Sequence, residues 1–379
     1  MGRFLLPQKL VHTAAFFCAT ALVLGAATAG EPKSFIKYST IAWHTDVAAA
    51  ESQTGETVTL GLSKTFQHEV EETLRRAKPI AGAATLVDAT TGQVLAAAEI
   101  GDEPRGSLLF DAIAPAASLF KLVTTVTLFE KSEVTPTTRV CTQGGLRGIE
   151  REHLTPATGA GTVCTKFGQA LGVSRNAVFA QLATQHLMRT DLENVAHDLG
   201  FGQGLKLDVH GRMGSLDVPY NDLDFARTAS GFGNARLSAM GAAQITLAIA
   251  RGGLLVPMHF AAEIPEPTIR VMSARTARRV RDAMEVTIHS GTARSSFVDE
   301  HGRSTVGAVQ VAGKTGTIQE KPGGPTTSWF VGFAPSDQPA VVVSVVLQNP
   351  ERWHQRGHEV GRDLIQAYLT SIGVQVPDR

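Results

Sequence analysis

The order of the periodic segments is the feature that most constrains the fold of this 379-residue chain. Short β-prone runs occur near both ends of the sequence, and a mainly helical region fills the middle. Strands separated in this way can meet in one sheet when the helices between them form an inserted lobe. The sequence therefore predicts an α+β fold: an antiparallel sheet flanked by helices, with an inserted all-helical lobe. The predicted strands are residues 83–88, 93–98, 309–312, 328–334 and 340–347, and the predicted helices are residues 66–77, 115–129, 167–171, 178–188, 192–199, 239–250, 274–289 and 360–369.

A serine and a lysine lie one turn apart at the start of the second predicted helix. Pro115 suits the first turn of a helix, since its missing N–H needs no partner there. Ser118 and Lys121 then share one helix face, and the free N–H groups at the helix start can stabilise an oxyanion. This S-x-x-K pattern indicates a nucleophile and its base. Alone it is weak, because it recurs at residues 34–37 without an apolar helix behind it, and a solvated serine and lysine are the alternative.

A second polar group, Ser174, Arg175 and Asn176, separates two predicted helices. Serine and asparagine are preferred helix N-caps, so a capping role is one interpretation. In the other interpretation, Ser174 passes a proton between the Lys121 amine and a leaving nitrogen. The Asn176 amide would then bind a peptide-like substrate.

A third motif follows the β-prone run at residues 309–312. Lys314 supplies a cation, and Thr315 and Thr317 supply hydroxyl groups that can bind a substrate carboxylate. Gly316 has no side chain, so a substrate backbone can approach the strand edge. A strand N–H near Thr317 can complete an oxyanion hole. The alternative is an exposed lysine at a strand end beside a turn.

Composition and motif content exclude several classes of function. The 35 Lys and Arg residues balance 35 Asp and Glu residues, and no basic stripe for nucleic acid is present. No phosphate-binding or nucleotide fingerprint occurs, so no cofactor is expected. His354 and His358 have a helical metal-ligand spacing, but no acidic third ligand is near them in the sequence, and no metal site is expected. Glu150, Glu152 and His153 lie in a Gly-rich stretch and are interpreted as loop residues.

The N-terminus has the pattern of an export segment. Arg3 and Lys9 precede a run without acidic or basic residues at 10–30, and Ala27-Thr28-Ala29 matches a cleavage site. Residues 1–29 are therefore predicted to be a cleaved signal peptide or, because the run is about as long as a membrane helix, an uncleaved anchor. Either form places the protein in the periplasm or at the outer face of the cytoplasmic membrane. The anchor would associate with the inner membrane through residues 10–30.

Removal of the signal leaves two cysteines, Cys141 and Cys164. In an oxidising compartment, an even pair across a Gly-rich segment is expected to form a disulfide, which would stabilise the fold by roughly 3 kcal/mol. The alternative is two free buried thiols. Catalysis is expected largely to survive loss of the bridge, because neither cysteine belongs to a motif.

The three motifs follow one another in the order S-x-x-K, S-x-N and K-T-G, in a helix, an interhelical loop and a strand. In this respect the chain resembles the transpeptidase domain of penicillin-binding proteins, of the class B type. The resemblance covers about residues 58–369 and includes the segments 87–96 and 329–335. It implies a fold like that of serine β-lactamases and acyl transfer on the D-Ala-D-Ala ends of peptidoglycan stem peptides, with β-lactams as covalent inhibitors.

The resemblance also implies a role for each motif residue. Ser118 is the acylated nucleophile, Lys121 its base and Ser174 part of the proton path. Lys121 must be neutral to accept a proton, and burial near a second cation would lower its pKa. Ala117 and Arg175 depart from the residues usual in this family. The residues assigned to substrate binding are Asn176, Lys314, Thr315, Gly316 and Thr317.

The same resemblance predicts the domain organisation. Residues 30–78 are expected to be a short lead-in and residues 79–379 the transpeptidase domain, with no room for a glycosyltransferase domain. Three alternatives remain on this fold: a serine β-lactamase, a D,D-carboxypeptidase and a non-catalytic β-lactam or peptidoglycan sensor. A class A β-lactamase uses a glutamate in an E-x-x-L-N segment, and no such segment occurs between Asn176 and Lys314.

Overall fold

The computed structural model describes residues 35–101, 103–146, 148–204, 207–262 and 268–377. Strands occur near both ends of the chain, and most of the helices lie between them. The strands are β1 (Ala42–His44), β2 (Val47–Glu51), β3 (Thr57–Leu60), β4 (Ala81–Asp88), β5 (Val94–Gly101), β6 (Ala114–Pro115), β7 (Arg139–Thr142), β8 (Val163–Lys166), β9 (Gly214–Ser215), β10 (Arg236–Leu237), β11 (Leu254–Leu255), β12 (Ile269–Arg270), β13 (Ala312–Gln319), β14 (Thr326–Ala334) and β15 (Val341–Asn349). The helices are α1 (Lys64–Ala77), α2 (Phe120–Lys131), α3 (Phe167–Gly172), α4 (Asn176–His186), α5 (Arg189–Asp198), α6 (Asp222–Ala229), α7 (Ala239–Ala250), α8 (Ala274–His289), α9 (Arg294–Phe297) and α10 (Gly357–Ser371).

The central sheet is antiparallel and has the strand order β13, β14, β15, β4 and β5. Strands from the two ends of the chain lie side by side, because β15 pairs with β4 from Val341↔Asp88 to Gln348↔Ala81. The predicted hairpin of residues 83–88 and 93–98 is therefore confirmed as β4 and β5, and it is extended by the C-terminal strands. Strand β13 lies at one edge of the sheet.

Both faces of the central sheet are covered by helices. Along β14, Trp329 and Val331 belong to one hydrophobic cluster, whereas Phe330 belongs to another. Helices α7 and α8 pack on the first face, and α1 and α10 pack on the second. A strand buried on both faces has no polar side to alternate with, which explains the continuous apolar run of β15.

The helical lobe is built around α2. This helix contacts α4, α5, α6 and α8, and it is buried from Phe120 to Phe129. Its two ends are fixed by edge-to-face aromatic pairs, Phe120 with Phe201 and Phe129 with Phe167. The lobe therefore holds the helix that carries Lys121 in one position.

Two of the predicted elements were wrong at functionally important places. Residues 309–311 are not in a strand; β13 begins at Ala312 and contains the polar K-T-G motif itself. Pairing with β14, from Ala312↔Phe333 to Gln319↔Thr326, overrides the weak strand propensity of this sequence. Pro115 does not begin a helix, because it lies in β6 opposite Arg236. Helix α2 starts only at Phe120.

The lead-in contains more regular structure than its polar sequence indicated. Strands β1, β2 and β3 form a small antiparallel sheet. Residues on either side of this sheet join the lead-in to the rest of the fold by backbone hydrogen bonds, from Ile36 N to Asp208 O at 2.8 Å and from Gly61 N to Phe260 O at 2.7 Å. The signal peptide or anchor predicted at residues 1–29 lies outside the described residues. Among the helices that the structure does describe, all are too short or too polar to cross a bilayer.

Candidate active site

Ser118 lies in a one-turn 3-10 helix, Ala117–Leu119, directly before α2. Ala117 has a φ of +49°, a left-handed conformation that costs a non-glycine residue roughly 1 kcal/mol. Gly231 packs against this turn so closely that a Cβ there would lie 2.3 Å from the Ala117 carbonyl oxygen. The preceding residue, Ala116, donates its N–H to Ala235 O at 2.8 Å. Close packing on both sides thus fixes the turn that carries the Ser118 hydroxyl.

Lys121 is fully buried in the first turn of α2, and three polar side chains surround its amine. Its Nζ lies 2.7 Å from Ser118 Oγ, 2.7 Å from Asn176 Oδ1 and 3.3 Å from Ser174 Oγ. Burial, the larger cause, and the charge of Lys314, the smaller one, hold the pKa of Lys121 well below its ordinary value. This environment favours the neutral amine, the form that can accept a proton from Ser118.

The S-x-N residues connect α3 to α4. Ser174 has a φ of +55°, and its Oγ donates to Ser118 Oγ at 2.9 Å. Asn176 is the first residue of α4, and its side chain binds Lys121. The N-cap of α4 is Arg175, which makes no side-chain capping bond. The capping interpretation of this triplet is therefore wrong.

Lys314 reaches the same cluster from strand β13. It is fully buried, and its Nζ donates to Ser174 Oγ at 3.2 Å and to the Thr315 carbonyl oxygen at 2.8 Å. Burial lowers the pKa of Lys314 to about 7. The alternative of an exposed lysine at a strand end is thus wrong, because β13 is the edge strand against which the Ser118 turn packs.

The remaining residues of the third motif differ in their surroundings. Thr317 is exposed, whereas Thr315 is buried and its hydroxyl is hydrogen-bonded to that of Thr292. A Cβ on Gly316 would lie 3.4 Å from the Ala117 Cβ. Gly316 thus lies between the neighbouring strand β14, where Trp329 Cβ would be 3.3 Å away, and the turn that carries Ser118.

The side chains of all three motifs form one hydrogen-bonded chain. It runs from Asn176 through Lys121 to Ser118, from Ser118 to Ser174, and from Ser174 to Lys314. Ser174 thus bridges the hydroxyl of Ser118 and the amine of Lys314. Such a chain can take a proton from a nucleophile and deliver it elsewhere without moving a heavy atom far.

Several residues at the site carried no signal in the sequence. Asn176 Nδ2 donates to the carbonyl oxygen of Leu146 at 2.9 Å. Trp329 Nε1 donates to Pro115 O at 2.9 Å and so ties the sheet to the segment before Ser118. Gly231 packs on the Ser118 turn. These contacts use main-chain atoms or depend on close packing between distant segments, which a motif search does not detect.

The predicted disulfide is confirmed. Cys141 and Cys164 are directly opposite each other in the β7–β8 pair, and their sulfur atoms are bonded. The bridge closes a loop that contains Leu146.

The remaining candidates from the sequence have other partners. His358 Nδ1 lies 2.7 Å from Ser296 Oγ, and burial lowers the pKa of His358 to about 4. His153 accepts a hydrogen bond from the backbone N–H of Glu150 through Nδ1. In the second S-x-x-K match, Lys37 forms an ion pair with Glu51, and Ser34 lies outside the described residues.

Known proteins resemble this chain in both sequence and fold. It is 26% identical over 269 residues to stage V sporulation protein D of Bacillus subtilis. The aligned residues are 65% of this chain and 40% of that protein. It is 26% identical over 345 residues to penicillin-binding protein PbpB of Mycobacterium tuberculosis. The aligned residues are 79% of this chain and 49% of that protein. The chain thus spans less than half the length of these relatives. The transpeptidase domain of penicillin-binding protein 3 from Burkholderia pseudomallei superposes with a TM-score of 0.69 and 26% identity, over 84% of this chain and 98% of that domain.

The family comparison covers the whole site. Residues 82–366 match the family described as the penicillin binding protein transpeptidase domain. This range begins in β4, ends in α10 and includes the three motifs. The chain belongs to the penicillin-binding protein transpeptidase family.

Proposed function

We propose that the protein is a serine D,D-transpeptidase that acts on the D-Ala-D-Ala ends of peptidoglycan stem peptides and is acylated by penicillin at Ser118. The observation that carries this proposal is the contact of the Ser118 hydroxyl with both Lys121, at 2.7 Å, and Ser174, at 2.9 Å. A serine bound to a buried lysine has a base beside it, and Ser174 opens a second path for the proton. This is the arrangement that nucleophilic acyl transfer requires.

The first half-reaction follows from these contacts. Ser118 Oγ attacks the carbonyl carbon of the penultimate D-Ala, and its proton passes to the neutral amine of Lys121. When the tetrahedral intermediate collapses, the C–N bond breaks, and a proton reaches the leaving nitrogen through Ser174. The products are an ester on Ser118 and free D-alanine. With penicillin the same attack opens the β-lactam ring, and the leaving nitrogen stays attached to the acyl group.

Substrate binding is assigned to the residues around this proton path. Lys314, Thr315 and Thr317 would bind the terminal carboxylate, and the Asn176 amide would bind the peptide. The N–H groups of Ser118 and Thr317 would form the oxyanion hole, which the packing of the Ser118 turn against β13 supports. Gly316 would let the substrate backbone approach the edge of β13.

The second half-reaction would decide between the alternatives on this fold. In a transpeptidase the amine of a second stem peptide attacks the Ser118 ester, while a carboxypeptidase or β-lactamase uses water. The absence of an E-x-x-L-N segment between Asn176 and Lys314 favours the transpeptidase over a class A β-lactamase. The Ser118–Lys121–Ser174 contacts support acylation, and turnover of a D-Ala-D-Ala peptide would separate an enzyme from a non-catalytic sensor.

The substrate also fixes the compartment. Stem peptides lie outside the cytoplasmic membrane, so a protein acting on them must be exported. Residues 1–29 would direct that export, either as a signal peptide or as an anchor at the outer face of the cytoplasmic membrane. Residues 30–78 would be the lead-in and residues 79–379 the transpeptidase domain.

Intact mass after incubation with penicillin tests the proposal. We expect an adduct of one penicillin on the wild type and none on Ser118→Ala. Ser34→Ala is the matched control, because it alters the other S-x-x-K of the chain and should leave the adduct unchanged. An adduct that persists on Ser118→Ala would contradict the assignment of the nucleophile.

The fate of the adduct separates the alternatives. We expect a long-lived penicilloyl enzyme with negligible turnover of a chromogenic cephalosporin. We also expect release of D-alanine from a D-Ala-D-Ala peptide, with product formation that depends on an added amine acceptor. Sustained cephalosporin hydrolysis that is lost in Ser118→Ala would show a β-lactamase, and an acylated protein inert toward the peptide would show a sensor.

A further inference from the structure

The loop between the two cysteines reaches the active site. This cysteine-closed loop is residues 143–162, of which the structure describes 143–146 and 148–162. The disulfide and the β7–β8 pair hold its base. Near its start, the Leu146 carbonyl oxygen accepts a hydrogen bond from Asn176 Nδ2 at 2.9 Å. A segment outside the three motifs thus binds one of the residues that surround Lys121.

This contact fixes which way the Asn176 amide points. A side-chain amide has an acceptor end and a donor end, and a peptide carbonyl can only accept. Leu146 O therefore requires the NH2 end of Asn176, and the Oδ1 end must point at Lys121 Nζ, 2.7 Å away. Without the hydrogen bond to the loop carbonyl, this contact no longer fixes the direction of the Asn176 amide.

The direction of the amide decides how Lys121 can act as a base. A neutral amine has N–H bonds to donate and a single lone pair to accept with. Asn176 Oδ1 can take one N–H and leave the lone pair for the Ser118 hydroxyl, 2.7 Å from Nζ. If the amide were reversed, its NH2 group would compete with Ser118 for that lone pair, and proton transfer from the serine would be impaired.

Arg227 of helix α6 holds the loop in this position. Its Nε donates to the Ile149 carbonyl oxygen at 2.9 Å, and its guanidinium forms an ion pair with Glu150 at 3.3 Å. Ile149 is 1% exposed and packs in a small cluster with alanines of α4 and α6. The contacts of Arg227 with Ile149 and Glu150 thus lie only a few residues along the chain from the Leu146 carbonyl.

Gly145 brings the loop close to α4. It has a φ of +71°, and a Cβ there would lie 2.7 Å from the Ala177 Cβ. An L-residue at 145 would be strained and would also push the loop away from the helix. The glycine therefore permits the short distance at which the next residue, Leu146, binds Asn176.

We propose that the cysteine-closed loop is a positioning element for the acylation step: Arg227 holds the loop on α4 and α6, and the Leu146 carbonyl orients the Asn176 amide so that Lys121 can deprotonate Ser118. This proposal rests on the proposed function. Arg227 is a positioning residue, because it acts through the loop and Asn176 and not on the substrate.

Acylation kinetics of Arg227→Gln test this role. We expect the acylation rate constant for penicillin to fall about tenfold and the dissociation constant of the non-covalent complex to change less than the rate constant, since the main loss is in proton transfer. Arg189→Gln is the matched control. Arg189 also combines an ion pair, with Glu193, and a hydrogen bond to a carbonyl, that of Pro219, but neither partner belongs to the loop. The acylation rate constant of Arg189→Gln should equal that of the wild type.

A double-mutant cycle separates positioning from general destabilisation. If the loop acts through Asn176, Arg227→Gln should slow acylation by less than about twofold when Asn176→Ala is already present. An equal loss in both backgrounds, or no loss in Arg227→Gln alone, would overturn the proposal. Gly145→Ala, which moves the loop without altering its charge, should repeat the pattern if Arg227→Gln does not fold. A wild type that penicillin does not acylate would overturn the proposed function itself, whereas an acylated wild type with an unaffected Arg227→Gln would overturn only this inference.

Discussion

The site has a helical half and a strand half, and each contributes one fully buried lysine. Lys121 comes from α2 and is bound by three side chains from two other segments, the Ser118 turn and the α3–α4 connection. Lys314 comes from β13 and is bound by its neighbouring carbonyl and by Ser174. The helical half therefore depends on contacts between separate elements, whereas the strand half depends mainly on one β ladder.

This difference indicates a division of labour. A group that moves protons must be aligned with its partners to within a fraction of an ångström, and several contacts supply that alignment. A group that binds a carboxylate needs charge at a fixed place, which an edge strand provides. Burial lowers the pKa of both lysines, but only Lys121 is hydrogen-bonded directly to the Ser118 hydroxyl, whereas Lys314 reaches it through Ser174. We therefore expect Lys121 to act as the base and Lys314 as the cation.

Loss of Lys121 should have the largest effect. Lys121→Ala removes the group that accepts the Ser118 proton, so the acylation rate constant should fall by roughly 10²- to 10⁴-fold, the usual contribution of a positioned base. Binding of penicillin before acylation should change little. Stopped-flow acylation with a fluorescent penicillin measures both quantities. A larger change in binding than in rate would reverse the assignment of the two lysines.

Loss of Lys314 should give a smaller effect of a different kind. Lys314→Ala should weaken non-covalent binding of penicillin by roughly 10- to 100-fold, as expected when a hydrogen bond to a charged group is lost. A penicillin methyl ester, which lacks the carboxylate, provides the control. The variant and the wild type should bind the ester with similar affinity. Equal weakening toward acid and ester would show that Lys314 does not recognise the carboxylate.

The pH dependence of acylation should report both lysines. Lys121 must be neutral and Lys314 protonated, so the second-order rate constant should rise as Lys121 loses its proton and fall as Lys314 loses its own, with the alkaline limb near the Lys314 pKa of about 7. Lys314→Arg keeps the charge at higher pH and should move the alkaline limb upward by more than one unit. An unchanged alkaline limb in that variant would assign it to another group.

Loss of the disulfide should have the smallest effect on catalysis. Cys141→Ser with Cys164→Ser should lower the free energy of unfolding by roughly 3 kcal/mol, because the unfolded chain is no longer cross-linked. The acylation rate constant should stay within about threefold of the wild type, since Arg227 and the β7–β8 pair still hold the loop. Chemical denaturation and acylation kinetics measure the two effects. A catalytic loss as large as that of Lys121→Ala would mean that the bridge itself aligns the site.

The sequence predicted the composition of the site better than its architecture. Ser118, Lys121, Ser174, Asn176 and Lys314 were identified from three short motifs, and the structure brings them into one hydrogen-bonded chain. Their identification was possible because each motif combines side chains of a special chemistry at a fixed spacing. Their roles remain predictions that the experiments above address.

The errors have a common physical cause. The strand that holds Lys314 was placed too early, because residues 314–319 are polar and owe their extended conformation to the neighbouring strand β14. The local sequence favours a helix start at Pro115. Its actual place in β6 depends on pairing with Arg236, a residue far away in the sequence. The Leu146 carbonyl is a main-chain atom that every residue possesses. Local propensity contains no information on such long-range partners.

The pairing of β15 with β4 has a consequence for the order in which the protein acquires activity. These strands lie at residues 341–349 and 81–88, so the central sheet cannot close until nearly the whole chain is present. Pairing over such a distance carries a large loop-closure entropy and forms slowly. Helix α2 can fold much earlier, but Lys314 joins the hydrogen-bonded chain of Ser118, Lys121 and Ser174 only when β13 is in place. We therefore expect a chain that ends before residue 341 not to be acylated, because β13 and β14 would lack the strand that joins them to β4.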